Sequence, residues 1–195
     1  FQLVIDNKAD LAGLPEAVVA AAADEAAARN LSGKWVFTLD APSRIPFLQY
    51  ADNRALREKV YKAYISKGDN DNEYDNKKIV SQIVNLRLKK ANLLGFKSYA
   101  DFALDDRMAK TDENVNNLLN RVWEYAIPRA KEEVADMQKI IDAEGGNFKL
   151  APWDWWYYAE KVRKAKYDLN EDELKPYFSL DNVREGAFMV ANKLY

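Results

Sequence analysis

The chain of 195 residues contains no histidine and no cysteine. Histidine is the usual general acid or base near neutral pH and the commonest metal ligand, and the cysteine thiolate is a common nucleophile and zinc ligand. Their absence excludes a Ser-His-Asp triad, a Cys-His pair and a histidine or cysteine zinc site among these residues. It also excludes disulfide bonds, which leaves the compartment undecided. Carboxylates, lysine, tyrosine, serine, threonine or a borrowed cofactor remain for chemistry.

The chain also lacks an excess of basic residues and a long apolar run. Its 29 lysines and arginines against 31 acidic residues give a net charge of −2, which argues against a dedicated nucleic-acid binder. No run of about 18 apolar residues occurs, so no membrane span is expected. The sequence starts at Phe1 without methionine, which predicts processing or excision from a longer protein and the loss of any targeting signal. We expect a cytoplasmic location, with the periplasm or cell envelope as the alternative.

What is present is helical patterning over most of the length. Helical spacing of apolar residues, capping residues and glycine stops predict a mostly α fold without repeats or an internal domain boundary. The predicted helices cover 15–29, 43–50, 53–66, 75–94, 98–104, 112–143, 153–166 and 181–195, with a short turn or helix at 171–177. Ser98, Thr111 and Ser179 are the predicted N-caps. Pro128 should kink the longest helix, because it removes a backbone hydrogen bond.

One segment is typical of a strand. Lys34 to Leu39 is rich in aromatic and β-branched residues and ends at Asp40-Ala41-Pro42. The best candidate for its partner is Gln2 to Ile5, which is apolar and fits helical spacing poorly. The sequence therefore predicts at most a short β-hairpin or small sheet.

Acidic groups offer two candidate sites. The segment Asp69–Asp75 resembles a calcium loop, but Gly68 precedes the acidic run and the ligand register fails, so a solvated loop is the favoured interpretation. The pairs Asp105-Asp106 and Glu132-Glu133 carry the residue type that glycosidases use. Adjacent residues on a helix diverge by about 100°, however, which favours ordinary surface charge.

The segment Trp153-Asp154-Trp155-Trp156-Tyr157-Tyr158 has the most unusual composition in the chain. Such a cluster can stack on carbohydrate, form a peptide groove or anchor an interface. The favoured alternative is a core patch on one helix. Because successive residues point around the whole helix, at least one ring should contact another part of the protein or solvent.

Several segments together carry a family resemblance. They include Gly95-Phe96-Lys97-Ser98-Tyr99 before Met108-Ala109-Lys110-Thr111, and the run from Pro152 to Tyr158 before Tyr167-Asp168-Leu169 and Lys175-Pro176-Tyr177-Phe178. Phe37–Ser43 and Asn53–Arg57 stand upstream. Their order and spacing resemble the peptidyl-dipeptidases (dipeptidyl carboxypeptidases) of the thimet oligopeptidase and neurolysin family. The resemblance covers essentially the whole chain.

The resemblance implies a zinc metallopeptidase that cleaves short peptides in a deep channel between two helical lobes. Its zinc site is an HExxH motif on one helix plus a downstream glutamate, and it lies beyond the segments found here. Because this chain has no histidine, no catalytic, cofactor-binding or metal residue of the family maps onto it. The resemblance thus implies that residues 1–195 are a helical segment preceding the catalytic region, inactive alone, with zinc only in the parent enzyme.

The expected partners are the catalytic lobe of the same polypeptide and, in the parent enzyme, short peptides, with neither nucleic acid nor membrane. Direct peptide contact by Tyr157 or Tyr158 stays open. The alternative is a freestanding helical module that binds proteins or peptides without enzymatic activity. If the chain is a lobe of a larger enzyme, an apolar stripe on the final helix, or the Trp153–Tyr158 cluster, should be exposed to water. The stripe comprises Val183, Ala187, Phe188, Val190, Ala191 and Leu194.

Overall fold

The computed structural model describes residues 1–168 and 171–195, and it confirms a mostly helical fold with one small sheet. Leu169, which belongs to one of the segments carrying the resemblance, lies outside the described residues. The strands are β1 (Leu3–Ile5) and β2 (Trp35–Phe37). The helices are α1 (Glu16–Ala28), α2 (Ala41–Tyr50), α3 (Arg54–Ile65), α4 (Lys77–Leu93), α5 (Tyr99–Leu104), α6 (Asp112–Ala143), α7 (Trp155–Tyr167), α8 (Glu171–Leu174) and α9 (Leu180–Leu194).

The three predicted N-caps are confirmed. The side chains of Ser98, Thr111 and Ser179 each accept a hydrogen bond from a backbone N–H in the first turn of α5, α6 and α9. Pro128 lies inside α6, and the kink expected there stays a prediction.

Two helices begin later than their patterns predict. α4 begins at Lys77 because the Asp75 carboxylate accepts hydrogen bonds from the backbone N–H groups of Asp71 and Lys77, which holds residues 71–76 in a loop. α7 begins at Trp155 because Pro152–Asp154 forms a separate 3₁₀ turn. The carboxylate of Asp154 accepts from the backbone N–H of Ala151 and closes that turn.

The predicted strand pair is confirmed, with shorter bounds. β1 and β2 are antiparallel, with Leu3 opposite Phe37 and Ile5 opposite Trp35. β2 ends after Phe37, where the backbone N–H of Thr38 donates to the hydroxyl of Ser43 instead of continuing the ladder.

The core consists of two clusters that meet at α7. In the first, the sheet packs with α1, α2 and α3, and the Phe37 and Phe47 rings lie 4.6 Å apart between centroids. In the second, Met137 and Ile141 of α6 pack against Tyr158 of α7. Because α7 contacts both α2 and α6, it joins the two clusters. We call residues 1–66, the C-terminal part of α6 (129–143) and residues 144–167 the base.

The remaining helices lie away from this base. α4 packs on α5, where the Phe96 and Phe102 rings are 5.5 Å apart, and α5 contacts α6. We call α4, α5 and the first half of α6 (112–126) the projection. Within the described residues, no helix combines the length and the apolar character that crossing a bilayer requires.

Candidate functional site

The acidic loop before α4 surrounds a lysine. The ammonium of Lys77 lies 2.7 Å from Asp69, 2.8 Å from Asp71 and 2.6 Å from Asp75, where a bound cation would have to sit. Hydrogen bonds from Lys77 and from the backbone lower the pKa of Asp75 to about 2. Lys77 therefore occupies the space between these carboxylates and offsets part of their charge, as in a solvated loop.

The two acid pairs do not form a two-carboxylate site. Glu132 and Glu133 both pair with Arg129 at 3.2 Å, so their charges are turned toward one guanidinium. Asp106 pairs with its neighbour Arg107 at 3.2 Å on an exposed turn. This arrangement is the surface charge that adjacent acids on helices favour.

The aromatic segment divides between core and surface. Tyr158 is buried, and its ring meets that of Tyr157 edge-on at 5.1 Å. Trp155 packs against the same cluster, whereas the side chain of Trp156 is 45% exposed. The core interpretation is confirmed for most of the rings, and the expectation that at least one ring reaches solvent is confirmed by Trp156.

The two tyrosines considered for peptide contact both have partners inside the chain. The Tyr157 hydroxyl donates to Asp52 at 2.7 Å, and its ring lies 4.0 Å below the Arg57 guanidinium. Burial and the hydrogen bond to Asp52 raise the pKa of Tyr157. Tyr158 is buried, which raises its pKa as well. The Tyr157 hydroxyl is therefore engaged within the chain, and direct peptide contact by Tyr157 or Tyr158 stays open.

A buried charge cluster centres on Asp154. Its side chain is 0% exposed, and the side chain of Arg57, one of its two cationic partners, is 1% exposed. Arg54 donates from Nε and Nη2 to the Asp154 carboxylate at 2.8–3.1 Å, and Arg57 donates from Nη2 at 2.9 Å. We call Arg54, Arg57 and Asp154 the Asp154 junction. It ties α3 to the turn that precedes α7.

The arginines of this junction have further contacts that hold them in place. Arg57 donates from Nη1 to the carbonyl oxygens of Ala51 and Asp52 at 2.8 and 3.1 Å. The guanidinium of Arg54 stacks over the Phe148 ring at 4.1 Å, and its hydrogen bond to Asp154 raises its pKa. These contacts hold both guanidinium groups against the Asp154 carboxylate as a buried ion-pair cluster. Within the described part of the chain, Nε of Arg57 is buried without a hydrogen-bond partner.

The sequence analysis missed this junction. Its signals were an Arg pair three residues apart on an amphipathic helix and a lone carboxylate inside an aromatic run. Each of these signals is ordinary alone. Arg57 and Arg54 lie 97 and 100 positions before Asp154 in the sequence. Only the folded structure brings them together.

A second polar contact ties α7 to α2. The Glu160 carboxylate accepts from the side-chain amide of Gln49 at 2.9 Å and from Arg163 at 2.6 and 2.8 Å. Burial works against its ionisation, but the bonds from Arg163 and Gln49 outweigh burial and lower the pKa of Glu160. α7 is thus fixed to the first core cluster at its N-terminal end and near its middle.

An open groove runs beside the exposed indole of Trp156. It has a volume of about 460 Å³ and is lined by apolar and aromatic side chains, among them Tyr61, Val134, Leu150, Pro152 and Trp155. Such a lining suits an apolar side chain of a partner. The residues supply shape and apolar surface but no reacting group.

Large apolar side chains are uncovered on three helices. α4, the first half of α6 and α9 expose branched and aromatic residues that soluble helices normally bury. Val183, Phe188, Val190 and Leu194 of the stripe predicted on the final helix are among them. We call these surfaces the uncovered faces.

The donor set does not fit zinc. The chain has no imidazole or thiolate, and no group of three or more acidic side chains in residues 1–168 and 171–195 is arranged to hold a metal ion. Structural and catalytic zinc sites rely on nitrogen and sulfur ligands, with carboxylates as a supplement.

Comparison with known proteins gives matches over the whole chain. It is 40% identical over 194 residues to the dipeptidyl carboxypeptidase of Escherichia coli, covering 99% of this chain and 28% of that protein. It is 37% identical to oligopeptidase A of Haemophilus influenzae, covering 100% of this chain and 29% of that protein. It is 38% identical to the organellar oligopeptidase A of Arabidopsis thaliana, covering 100% of this chain and 25% of that protein.

The chain thus spans less than a third of the length of these curated relatives. The family model described as Peptidase family M3 matches residues 47–195. This range includes the Asp154 junction, the projection and α9, and with the relatives it confirms the resemblance to the metallopeptidases of the thimet oligopeptidase type. The chain belongs to peptidase family M3.

Proposed function

We propose that residues 1–195 form a non-catalytic helical part of a zinc-dependent peptidyl-dipeptidase or oligopeptidase that hydrolyses short peptides. The observation that carries this proposal is the end-to-end match of this chain to less than a third of peptidases such as the dipeptidyl carboxypeptidase of E. coli. The segment supplies one helical lobe and part of the channel wall, and it precedes the zinc-binding region in the polypeptide.

Three features support this role. The chain offers no imidazole or thiolate for zinc, so we assign no catalytic, cofactor-binding or metal residue to it. The Asp154 junction and the contacts of Glu160 tie α2 and α3 to α7 and the turn before it, which supports a scaffold role in a channel wall. The uncovered faces provide surface for packing against the catalytic lobe. A cytoplasmic location is part of the same proposal.

Activity measurements test the proposal directly. The 195-residue chain and the polypeptide encoded by its complete reading frame are each incubated with a quenched peptide and zinc, with and without a chelator. The longer polypeptide should cleave the peptide in a chelator-sensitive way, and the release of C-terminal dipeptides would identify a peptidyl-dipeptidase. The chain alone should give no chelator-sensitive turnover. Turnover by the pure chain contradicts the proposal.

The second candidate is a freestanding module that binds proteins or peptides. The groove beside Trp156 favours it, since a half-exposed indole next to an apolar groove is a common anchor point. A reading frame without an HExxH motif, together with peptide binding that Trp156→Ala abolishes, would make this the better description.

A further inference from the structure

α4 carries large apolar side chains over more than half of its circumference, with the cations Lys77, Arg87 and Lys90 between them. At 100° per residue, its large apolar side chains span an arc of about 220°. They are Ile79, Val80, Ile83, Val84, Leu86, Leu88 and Leu93, and all of them are exposed. The remaining arc carries Lys78, Ser81, Gln82, Asn85, Lys89 and Asn92.

The neighbours of α4 in the chain account for little of this arc. A helix that packs on one side needs an apolar stripe of about 100°. α5 covers Ala91, which is 0% exposed, and the cations Arg87 and Lys90 lie over the rings of Tyr99 and Phe102 at 5.2 and 4.7 Å. The wider part of the arc, toward the N-terminus of α4, stays in water.

We infer that α4 is an internal helix of the longer polypeptide, with apolar segments of that polypeptide packed on two sides and its polar arc left in water. This inference rests on the proposed function, and it names the surface of the chain that the rest of the enzyme covers. It adds α4 to the exposed stripe that the sequence predicts on the final helix.

The width of the arc decides between occupants. A second copy bound by two-fold symmetry uses the same patch on both subunits and so covers one side of α4. Two opposite sides need two covering elements. The relatives that match this chain end to end have more than twice as much polypeptide beyond the matched part, since it covers only 28% and 29% of them. The continuous polar arc fits a helix edge that remains hydrated.

The absence of cysteine provides a clean probe. Leu86→Cys and Val84→Cys place a thiol on two sides of α4, about 160° apart. Gln82→Cys and Asn85→Cys place one on the polar arc and serve as matched controls. Thiol labelling rates are compared between the 195-residue chain and the polypeptide encoded by the complete reading frame, with native cysteines of the latter replaced. Circular dichroism and melting temperature confirm that each variant is folded.

In the chain alone, all four thiols should react at similar rates. In the longer polypeptide, the thiols at positions 86 and 84 should be labelled at least about tenfold more slowly than in the chain alone. The reason is that a buried thiol is labelled only during transient opening. The Gln82 and Asn85 positions should remain as reactive as before. Equal reactivity of all four in the longer polypeptide overturns the inference, and so does a reading frame that adds no residues.

Protection of one side only, appearing in the chain alone as its concentration rises, would identify a second copy as the occupant and also overturn it. The readout is independent of catalysis. A longer polypeptide that cleaves peptides but labels freely on α4 refutes the inference and leaves the proposed function standing. A longer polypeptide that is protected on α4 but does not cleave peptides supports the inference and refutes the proposed function.

Discussion

The base and the projection are built from equally regular helices, yet they treat apolar surface in opposite ways. In the base, Phe47 and Leu48 of α2 are 0% and 1% exposed, and the charges of Arg57 and Asp154 are buried as a pair. In the projection, Leu118 and Leu119 of α6 are 61% and 57% exposed, and Leu86 of α4 is 63% exposed. The helical spacing of apolar residues in the sequence is therefore the same in both regions. The regions differ in how many sides of each helix are covered by other elements of the chain.

The two regions differ because only the base finds most of its packing partners within these 195 residues. α2 and α7 lie between other elements of the chain, so Phe47, Leu48 and Tyr158 are buried against neighbours. α4 and the first half of α6 have α5 between them and little else. Substitutions should consequently act strongly in the base and weakly in the projection, as long as the chain is studied alone.

The largest effect is expected at the Asp154 junction. Asp154→Ala removes the carboxylate between Arg54 and Arg57 and leaves the buried Arg57 without its anionic partner. Breaking a buried ion pair in this way costs about 3–5 kcal/mol. Urea unfolding of the 195-residue chain measures the loss. The control is Asp106→Ala, which removes an exposed pair with Arg107 and should change the free energy of unfolding by less than about 1 kcal/mol.

A pair of leucine truncations tests the comparison itself. Leu48→Ala in the base should lower the free energy of unfolding by about 2–5 kcal/mol, because it leaves a cavity. Leu118→Ala in the projection should change it by about 0.5 kcal/mol or less. Denaturant unfolding of both variants suffices. Equal losses would show that the projection is packed in solution and that the two regions do not differ.

A smaller effect is expected where Tyr157 contacts the loop between α2 and α3. Tyr157→Phe removes the hydroxyl that donates to Asp52 at 2.7 Å while the ring keeps its place below Arg57. The loss of one such hydrogen bond costs about 1 kcal/mol. Tyr167→Phe, at an exposed position of the same helix, is the control and should be neutral. Thermal unfolding of the two variants side by side gives the difference; a neutral Tyr157→Phe would contradict the contact.

The smallest effect concerns pH. Because Arg163 and Gln49 lower the pKa of Glu160 in the folded state, its contribution to stability is present above the unfolded pKa of about 4.3 and is lost as the pH falls through the lower folded value. The difference in stability between the native chain and Glu160→Gln should therefore be constant from pH 7 to about 5 and shrink below about pH 4. A stability difference between the two proteins that grows on acidification would mean that folding raises the pKa of Glu160, contrary to the direction assigned here.

The sequence predicted most elements of the fold because their signals are local. Thr111 and the glycines after residue 144 bound α6 correctly, and the strand pair of β1 and β2 follows from two short apolar segments. The start of α7 was wrong by two residues, since Pro152 and the Asp154 carboxylate build a turn of their own. The Asp154 junction could not be predicted, because its pairing depends on how α3 and α7 meet.

The site behaves in the same way. The favoured core interpretation of the aromatic cluster agrees with the burial of Tyr158 and the packing of Trp155 and Tyr157 against it. The expectation from helical geometry that at least one ring reaches another part of the protein or solvent agrees with the exposure of Trp156. The partner of the Tyr157 hydroxyl, Asp52, was not foreseeable, as 105 residues separate the two in the sequence. The sequence analysis predicted the helix of α4 but not the exposure of its apolar arc, which depends on which sides α5 leaves open.

The position of α7 also sets the order of events during synthesis. The contacts that fix it to α2 and α3 join residues 97, 100 and 111 positions apart. A ribosome adds 5–20 residues per second, so about 5–20 s pass between the emergence of α3 and that of α7. Throughout that interval the first 66 residues lack the element that closes them. The apolar arc of α4 emerges in the same interval, so apolar surface of both regions is open to chaperones at the same stage of synthesis.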